Sequence, residues 1–259
     1  MKKIYILPNL FTTASLFCGM LAITNIIVGD FETACLLILI SAILDMLDGK
    51  IARLTKTQTS FGLNYDSLSD LVAFGVAPGV LIFAWMRSLS PDGGIRLAAG
   101  VATLYPICGA LRLARFNVQV VREEKKYFIG LPIPAAAGAV VSTFLAFWKQ
   151  DMFGEWEPHV FLRFLPFFFV GVSCLMVSNI PYMSLKHIDL ERRKPFDYLV
   201  MIIILACIGI ALWHMRTLML LFGFWAYALS GVLGRVMRFH RLREEEKQAP
   251  LPTPRGDRQ

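Results

Sequence analysis

Long apolar blocks alternate with short polar or charged segments along the whole chain. Eight of these blocks approach the roughly 20 apolar residues that a helix needs to cross a bilayer. The predicted spans are residues 7–28, 31–53, 63–86, 95–117, 131–149, 159–183, 196–213 and 216–236. No polar segment between them is long enough for a soluble domain. The pattern therefore predicts an all-α, polytopic membrane helix bundle with about eight transmembrane helices.

The positions of Lys and Arg predict the orientation of this bundle. If the N-terminus is cytosolic, all but five of the 26 basic residues fall on cytosolic ends and loops. The five on the other side are Arg87, Arg96, Lys149, Arg163 and Arg216. Because cytosolic loops are enriched in positive charge, we expect both termini in the cytosol. Residues 1–243 then form one membrane domain, and residues 244–259 form a charged, proline-rich, disordered cytosolic tail.

Composition agrees with a membrane protein and excludes several other classes. Hydrophobic residues make up 56% of the chain and charged residues only 17%, with a net charge of +7. The basic residues lie between apolar blocks, which favours contact with membrane lipids over nucleic acid. All five cysteines lie in apolar segments and none forms a CxxC pair, so they indicate buried small side chains rather than disulfides or zinc ligands.

Four aspartates occur where a membrane protein should avoid charge. Asp45 and Asp48 are three residues apart and share one face of the second predicted helix, while Asp66 and Asp70 are four apart on the third. The two helices are consecutive and antiparallel, and both pairs lie near the cytosolic side. A short loop should therefore bring four carboxyl groups together.

Clustered carboxylates near hydrocarbon repel one another and are costly to desolvate, so a positive partner is needed. Oxygen ligands of this kind suit a hard divalent cation. The alternative is a set of ion-paired or water-lined carboxylates in a proton or ion pathway. Gly49, Ala52 and Gly62 add small residues beside the aspartates, where a nucleobase or phosphate could approach; close helix packing is the other explanation.

These residues resemble the signature of the CDP-alcohol phosphatidyltransferase family, D-x-x-D-G-x-x-A-R-x8-G-x-x-x-D-x-x-x-D. The fixed positions here are Asp45, Asp48, Gly49, Ala52, Arg53, Gly62, Asp66 and Asp70. Further strings resemble the integral-membrane branch of the family that uses serine: PNLFT at 8–12, FGLNYDSLSDLVAFGVAP at 61–78, GALRLARFN at 109–117 and GLPIPAAAG at 130–138. The resemblance extends over roughly residues 3–185.

The resemblance implies a metal-dependent transfer of phosphatidyl from CDP-diacylglycerol to the hydroxyl of L-serine, giving phosphatidylserine and CMP. Asp45, Asp48 and Asp66 would bind Mg²⁺ or Mn²⁺. Asp70 would lie close to the metal and act as general base. The CDP pocket would be lined by Gly49, Ala52 and Gly62, with Arg53 in the same block.

For the remaining candidate residues the sequence predicts less specific roles. The resemblance brings Asn9 and Thr12 close to the nucleotide, although Asn9 could instead cap the first helix. Arg112, Arg115 and Asn117 are candidates for binding the serine carboxylate or the lipid phosphate, whereas snorkelling to lipid headgroups is the alternative for the arginines. Ser67 and Ser69 are expected to make hydrogen bonds between helices.

Two other functions compete with serine transfer. A sister enzyme could use glycerol 3-phosphate, inositol or inositol phosphate, and Arg112 and Arg115 would suit either acceptor. A cation transporter could use the four carboxylates, but it would leave the motif glycines and Arg53 without a purpose. An inactive membrane scaffold fits poorly with four intact motif aspartates. By resemblance we expect a homodimer in the cell (inner) membrane with its active site at the cytosolic face.

Overall fold

The computed structural model describes residues 6–54, 59–89, 94–120, 127–148, 158–183, 222–232 and 234–235. The described part is almost entirely helical. The helices are α1 Ile6–Val28, α2 Phe31–Leu54, α3 Ser60–Asp70, α4 Ala77–Leu89, α5 Ile95–Val120, α6 Ile133–Trp148, α7 Pro158–Val177 and α8 Phe222–Val232. A π-helical segment, Leu71–Val76, joins α3 to α4, so that residues 60–89 form one continuous helix.

Within the described ranges, three stretches are long and apolar enough to cross a membrane: Asn9–Val28, Ser60–Leu89 and Ile95–Val118. By length and composition they agree with three predicted spans and indicate an integral membrane protein. The helix α2 has the predicted bounds within one residue, but it carries more charged residues than the three membrane-spanning candidates. Two predictions lie outside the described residues: the helix at 196–213 and the tail at 244–259. The predicted span 216–236 is described only in part, over Phe222–Val232 and residues 234–235.

The first two helices form a tight antiparallel pair. Gly29 has a φ of 87° in the turn between them, a conformation that glycine adopts without a steric penalty. Asp30 then caps α2, because its carboxylate accepts a hydrogen bond of 3.2 Å from the backbone N–H of Thr33. Deeper in the pair, the buried hydroxyls of Ser15 and Ser41 lie 2.7 Å apart. These contacts fix how α2 is rotated against α1, and thereby the direction in which its aspartates point.

The core of the bundle is filled where the long helix formed by α3 and α4 passes between α1, α5 and α6. Phe74, Leu81 and Trp85 are fully or almost fully buried there. The Trp85 ring packs edge-on against Phe144 of α6, at 5.0 Å between centroids. This packing holds the aspartate-bearing helix in a fixed position at the centre of the bundle.

Two short strands, Tyr127–Ile129 (β1) and Pro181–Met183 (β2), pair in antiparallel register and are absent from the all-α prediction. They lie beside the end of α7, which stops at Val177, whereas the predicted span continued to residue 183. Ile180 and Tyr182 continue the apolar pattern beyond Val177, and both are buried. They lie in an extended segment rather than in a helix.

Candidate active site

The two aspartate pairs meet as the sequence predicts. One carboxylate oxygen from each of Asp45, Asp48 and Asp66 lies within 4.8 Å of the others. The Asp45 side chain interacts with the carboxyl groups of both Asp66 and Asp70. The helices α2 and α3 both pack against α1, and together they bring the four carboxyl groups into one cluster.

This cluster suits a divalent metal ion. Its donors are all carboxylate oxygens, the ligands that Mg²⁺ and Mn²⁺ prefer. Two oxygens bound to one Mg²⁺ are separated by at most about 4.2 Å, so small side-chain movements would bring the three aspartates into range. In addition, Oδ1 of Asp66 and Oδ1 of Asp70 are buried without a hydrogen-bond partner among the described residues. A cation would satisfy both oxygens.

The helix α1 supports the cluster from one side. Thr12, only 5% exposed, donates a hydrogen bond of 2.6 Å from its hydroxyl to Oδ2 of Asp48, which is also 5% exposed. Ser69, between Asp66 and Asp70 in the chain, donates to the backbone carbonyl of Thr12 at 3.1 Å. Thr12 thus connects both aspartate-bearing helices. Sequence reasoning assigned Thr12 to the nucleotide and gave no sign of its bond to Asp48.

The motif glycines differ in their surroundings. A Cβ at Gly49 would meet no atom of the described residues within 4 Å, so no described side chain covers the surface of α2 beside Asp48. A Cβ at Gly62 would lie 3.2 Å from the Thr59 hydroxyl and 3.7 Å from Oδ1 of Asn9. Thr59 caps α3 by accepting a 2.9 Å hydrogen bond from the Gly62 N–H. The predicted nucleotide residues Asn9 and Gly62 are therefore neighbours in space.

Two motif positions can be located only along the backbone. Ala52 and Arg53 follow Gly49 within α2, while their side chains lie outside the described part of the structure. Their predicted contacts with CDP stay predictions.

The arginines of α5 have different environments. Arg112 is 7% exposed and interacts electrostatically with Asp70. Arg115 instead points to the end of α7, where its guanidinium donates to the Val177 carbonyl at 3.0 Å and to Oδ1 of Asn179 at 3.1 Å. Of these two arginines, Arg112 is therefore the one that interacts with the carboxyl cluster, and the substrate roles of both stay predictions.

Asn117 lies on α5 and faces α3. Its Nδ2 donates a hydrogen bond of 2.9 Å to the Ser67 hydroxyl, and both residues line a cleft of about 270 Å³ between α3 and α5. Asn64, Leu68 and Leu113 also line this cleft. The interhelical hydrogen bonds expected of Ser67 and Ser69 are thus present.

Comparison with known proteins agrees with this geometry. The 174 residues from 5 to 178 match a model of the CDP-alcohol phosphatidyltransferase family. A CDP-diacylglycerol–serine O-phosphatidyltransferase of Helicobacter pylori is 41% identical over 187 residues, covering 72% of this chain and 76% of the relative. A protein of the same name from Bacillus subtilis is 34% identical, covering 70% of this chain and 91% of the relative.

A third relative carries a different name. The archaetidylserine synthase of Methanothermobacter thermautotrophicus is 36% identical over 178 residues, covering 68% of this chain and 69% of the relative. The aspartate motif, residues 45–70, lies inside the matched region. The chain belongs to the CDP-alcohol phosphatidyltransferase family.

Proposed function

We propose that this protein transfers a phosphatidyl group from CDP-diacylglycerol to the hydroxyl of L-serine, giving phosphatidylserine and CMP. The observation that carries the proposal is the convergence of Asp45, Asp48 and Asp66 to within 4.8 Å, with Asp70 beside them. The names of the relatives support serine as the acceptor. The family supports the reaction type.

Different residues are proposed to bind the substrates and to transfer the proton. Gly49 leaves the surface beside Asp48 open for the CDP moiety, and Gly62 and Asn9 lie together on the adjoining helices. Asp45, Asp48 and Asp66 would hold Mg²⁺ or Mn²⁺. When bound, that cation would draw negative charge off the pyrophosphate and favour the departure of CMP.

Asp70 is the proposed general base. It would take the proton of the serine hydroxyl, and the serine oxygen would form a new bond to the phosphorus that carries diacylglycerol. In the net reaction, the bond from this phosphorus to the bridging pyrophosphate oxygen breaks, and CMP leaves with the electron pair. Arg112, which interacts with Asp70, is placed to bind a substrate oxyanion, since guanidinium recognises carboxylates and phosphates.

The proposal extends to the membrane arrangement. We propose eight spans with both termini in the cytosol, in the cell (inner) membrane, because this orientation puts all but five of the 26 basic residues on the cytosolic side. The carboxyl cluster would then face the cytosol, where CDP-diacylglycerol presents its nucleotide. A homodimer is proposed from family resemblance, and light scattering of the detergent-solubilised protein tests it.

The test of the reaction is CMP release by purified protein in detergent. CDP-diacylglycerol and Mn²⁺ or Mg²⁺ are supplied with L-serine, glycerol 3-phosphate, myo-inositol or inositol 1-phosphate in parallel. We expect release with serine. Release only with another alcohol would overturn the serine assignment and retain the reaction type, whereas folded protein inactive with every acceptor would overturn both.

Two matched variants test the role of Asp70. Asp70→Asn should abolish turnover in protein that still folds. Asp30→Asn makes the same chemical change at the cap of α2, where asparagine caps as well as aspartate, and should retain activity. Normal turnover by Asp70→Asn would remove Asp70 from the mechanism.

A further inference from the structure

Each of the three longer sequence strings of the resemblance contributes one residue to a single contact. The three residues are Gly75, Gly109 and Ile133. Gly75 belongs to the π-helical segment, Gly109 to α5 and Ile133 to the start of α6, where its side chain is fully buried. No step of the proposed reaction uses these residues, so their meeting has no role in the site as described so far.

The end of the Ile133 side chain contacts both glycines. A Cβ at Gly109 would lie 2.7 Å from Cδ1 of Ile133 and 3.6 Å from its Cγ1. A Cβ at Gly75 would lie 3.7 Å from the same Cδ1. Carbon atoms in ordinary contact are about 3.5–4.0 Å apart, so the missing side chain at Gly109 makes room for the isoleucine. Ile133 is therefore a spacer between α5 and the π-helical segment.

The backbone that precedes α6 fixes the position of this spacer. The N–H of Gly130 donates to the carbonyl of Ile180 at 2.8 Å, and the N–H of Leu131 donates to the carbonyl of Leu175 at 3.0 Å. Gly130 has a φ of 82°, which suits glycine, and the Leu131 side chain is fully buried. The start of α6 is thus anchored to the end of α7, and Ile133 has little freedom to withdraw from the glycines.

Each glycine lies about one turn from a residue of the proposed site. Gly109 precedes Arg112 by three residues, so the two share a face of α5. Gly75 follows Asp70 by five residues, the interval of a π-helical hydrogen bond. Nε of Arg112 and Oδ1 of Asp70 are both buried without a hydrogen-bond partner among the described residues. Because packed interiors transmit strain, a change in spacing at Ile133 reaches both of these groups.

We propose that Ile133 is a positioning residue for acceptor binding, because its side chain sets the spacing between the helix that carries Arg112 and the helix that carries Asp70. This inference rests on the proposed phosphatidyl transfer. Asp70 is proposed to take the proton of the serine hydroxyl, and Arg112 to bind a substrate oxyanion. Both groups must therefore stand at a fixed distance to act on the same bound substrates. Ile133 acts only through α5 and the π-helical segment.

The test exchanges one methyl group across the contact. Gly109→Ala adds a methyl that would overlap Cδ1 of Ile133, and Ile133→Val removes that Cδ1 atom. The double variant contains both changes, so the added methyl can occupy the vacated space. Gly138→Ala is the matched control, because it adds the same methyl within α6, where the new Cβ would overlap the ring of Phe224 in α8.

Three quantities are measured for each variant: kcat/KM for serine, the inhibition constant of CMP, and the thermal unfolding temperature in detergent. CMP reports on the proposed nucleotide residues Asn9, Gly49 and Gly62, which lie on α1, α2 and α3, outside the contact. A general loss of structure would change both kinetic constants, whereas a change in the spacing of α5 should leave the binding of CMP intact.

We expect Gly109→Ala to lower kcat/KM for serine about 10- to 100-fold with an unchanged CMP inhibition constant. The double variant should regain most of this loss. Ile133→Val alone should lower kcat/KM by a smaller factor, since the surrounding helices partly close a small cavity. Gly138→Ala should lose thermal stability and keep wild-type kinetics at temperatures where it is folded.

Folded Gly109→Ala with wild-type kinetics would overturn the proposal. A folded double variant that keeps the full loss would also overturn it, because the added methyl would then act without Ile133. Equal kinetic losses in Gly109→Ala and Gly138→Ala would assign the contact to packing alone. If Gly109→Ala does not fold, Ile133→Val decides, since it cannot clash: a reduced kcat/KM in folded protein supports the spacing role, and wild-type kinetics contradict it.

The outcome is separable from that of the proposed function. If the wild type uses another alcohol in place of serine, the serine assignment fails, and the same variants are measured with that alcohol. If the variants behave as the wild type while serine transfer proceeds, only the positioning role fails. Folded wild type that is inactive with every acceptor would overturn both.

Discussion

The open surface at Gly49 allows a substitution that separates folding from function. Gly49→Ala adds one methyl group to α2 at a place where a Cβ meets no atom of the part of the chain that the structure describes within 4 Å. Alanine is about 1 kcal/mol more favourable than glycine inside a helix. The variant should therefore be more stable than the wild type, with a melting temperature higher by about 2–4 °C for a chain of this length.

The kcat/KM for CDP-diacylglycerol should fall, although the stability rises. The CDP moiety is proposed to lie against this surface, and Gly49 directly follows Asp48. Forcing an extra methyl group into a well-packed contact costs about 1–3 kcal/mol. That penalty corresponds to a loss of about 5- to 150-fold in kcat/KM for CDP-diacylglycerol, while the KM for serine should change little.

The assay is CMP release over a range of CDP-diacylglycerol concentrations, together with thermal unfolding in the same detergent. Gly100→Ala is the matched control, because Gly100 lies within α5, is exposed and likewise has no described atom within 4 Å of a Cβ. It should gain similar stability and keep wild-type kinetics. A stable Gly49→Ala variant with wild-type kcat/KM would refute the nucleotide position proposed here.

Further predictions concern the support of the site. Thr12→Val removes the donor to Asp48 and should raise the Mn²⁺ concentration needed for half-maximal activity about 10- to 100-fold, measured by metal titration; an unchanged requirement would contradict a supporting role. Arg115→Gln removes charged hydrogen bonds worth about 1.5–3 kcal/mol each and should lower the melting temperature, while serine KM at low temperature stays within about twofold. A large rise in that KM without destabilisation would instead support the substrate role expected from the sequence.

The sequence predicts a helix well where the apolar block ends at the same residues as the helix. The spans starting near residues 7, 31 and 95 agree with α1, α2 and α5 to within a few residues. Spacing also predicts the carboxyl cluster, because Asp45 with Asp48 and Asp66 with Asp70 must each share a helix face. The end of α7 was not predictable in this way, since Ile180 and Tyr182 remain apolar beyond it.

The contacts that support the site depend on tertiary packing. Thr12 and Asp48 are 36 residues apart, and Arg115 and Val177 are 62 apart, so no local pattern connects them. Their pairing requires the rotation of each helix about its axis, which packing such as that of Ser15 against Ser41 determines. The position of α8 depends in the same way on β2 and α6, because Tyr182 donates to the Ala228 carbonyl and Trp225 to the Thr143 hydroxyl.

The central claim is that the four carboxyl groups form a metal-dependent site for phosphatidyl transfer to serine. Its most direct test follows labelled L-serine into phosphatidylserine, with CMP measured alongside, in chelator-treated wild-type protein titrated with Mn²⁺ or Mg²⁺. The account predicts equal amounts of both products, no turnover without metal, recovery on metal addition, and no recovery in Asp66→Asn. Turnover that persists in the chelator, or that survives in Asp66→Asn, would contradict it.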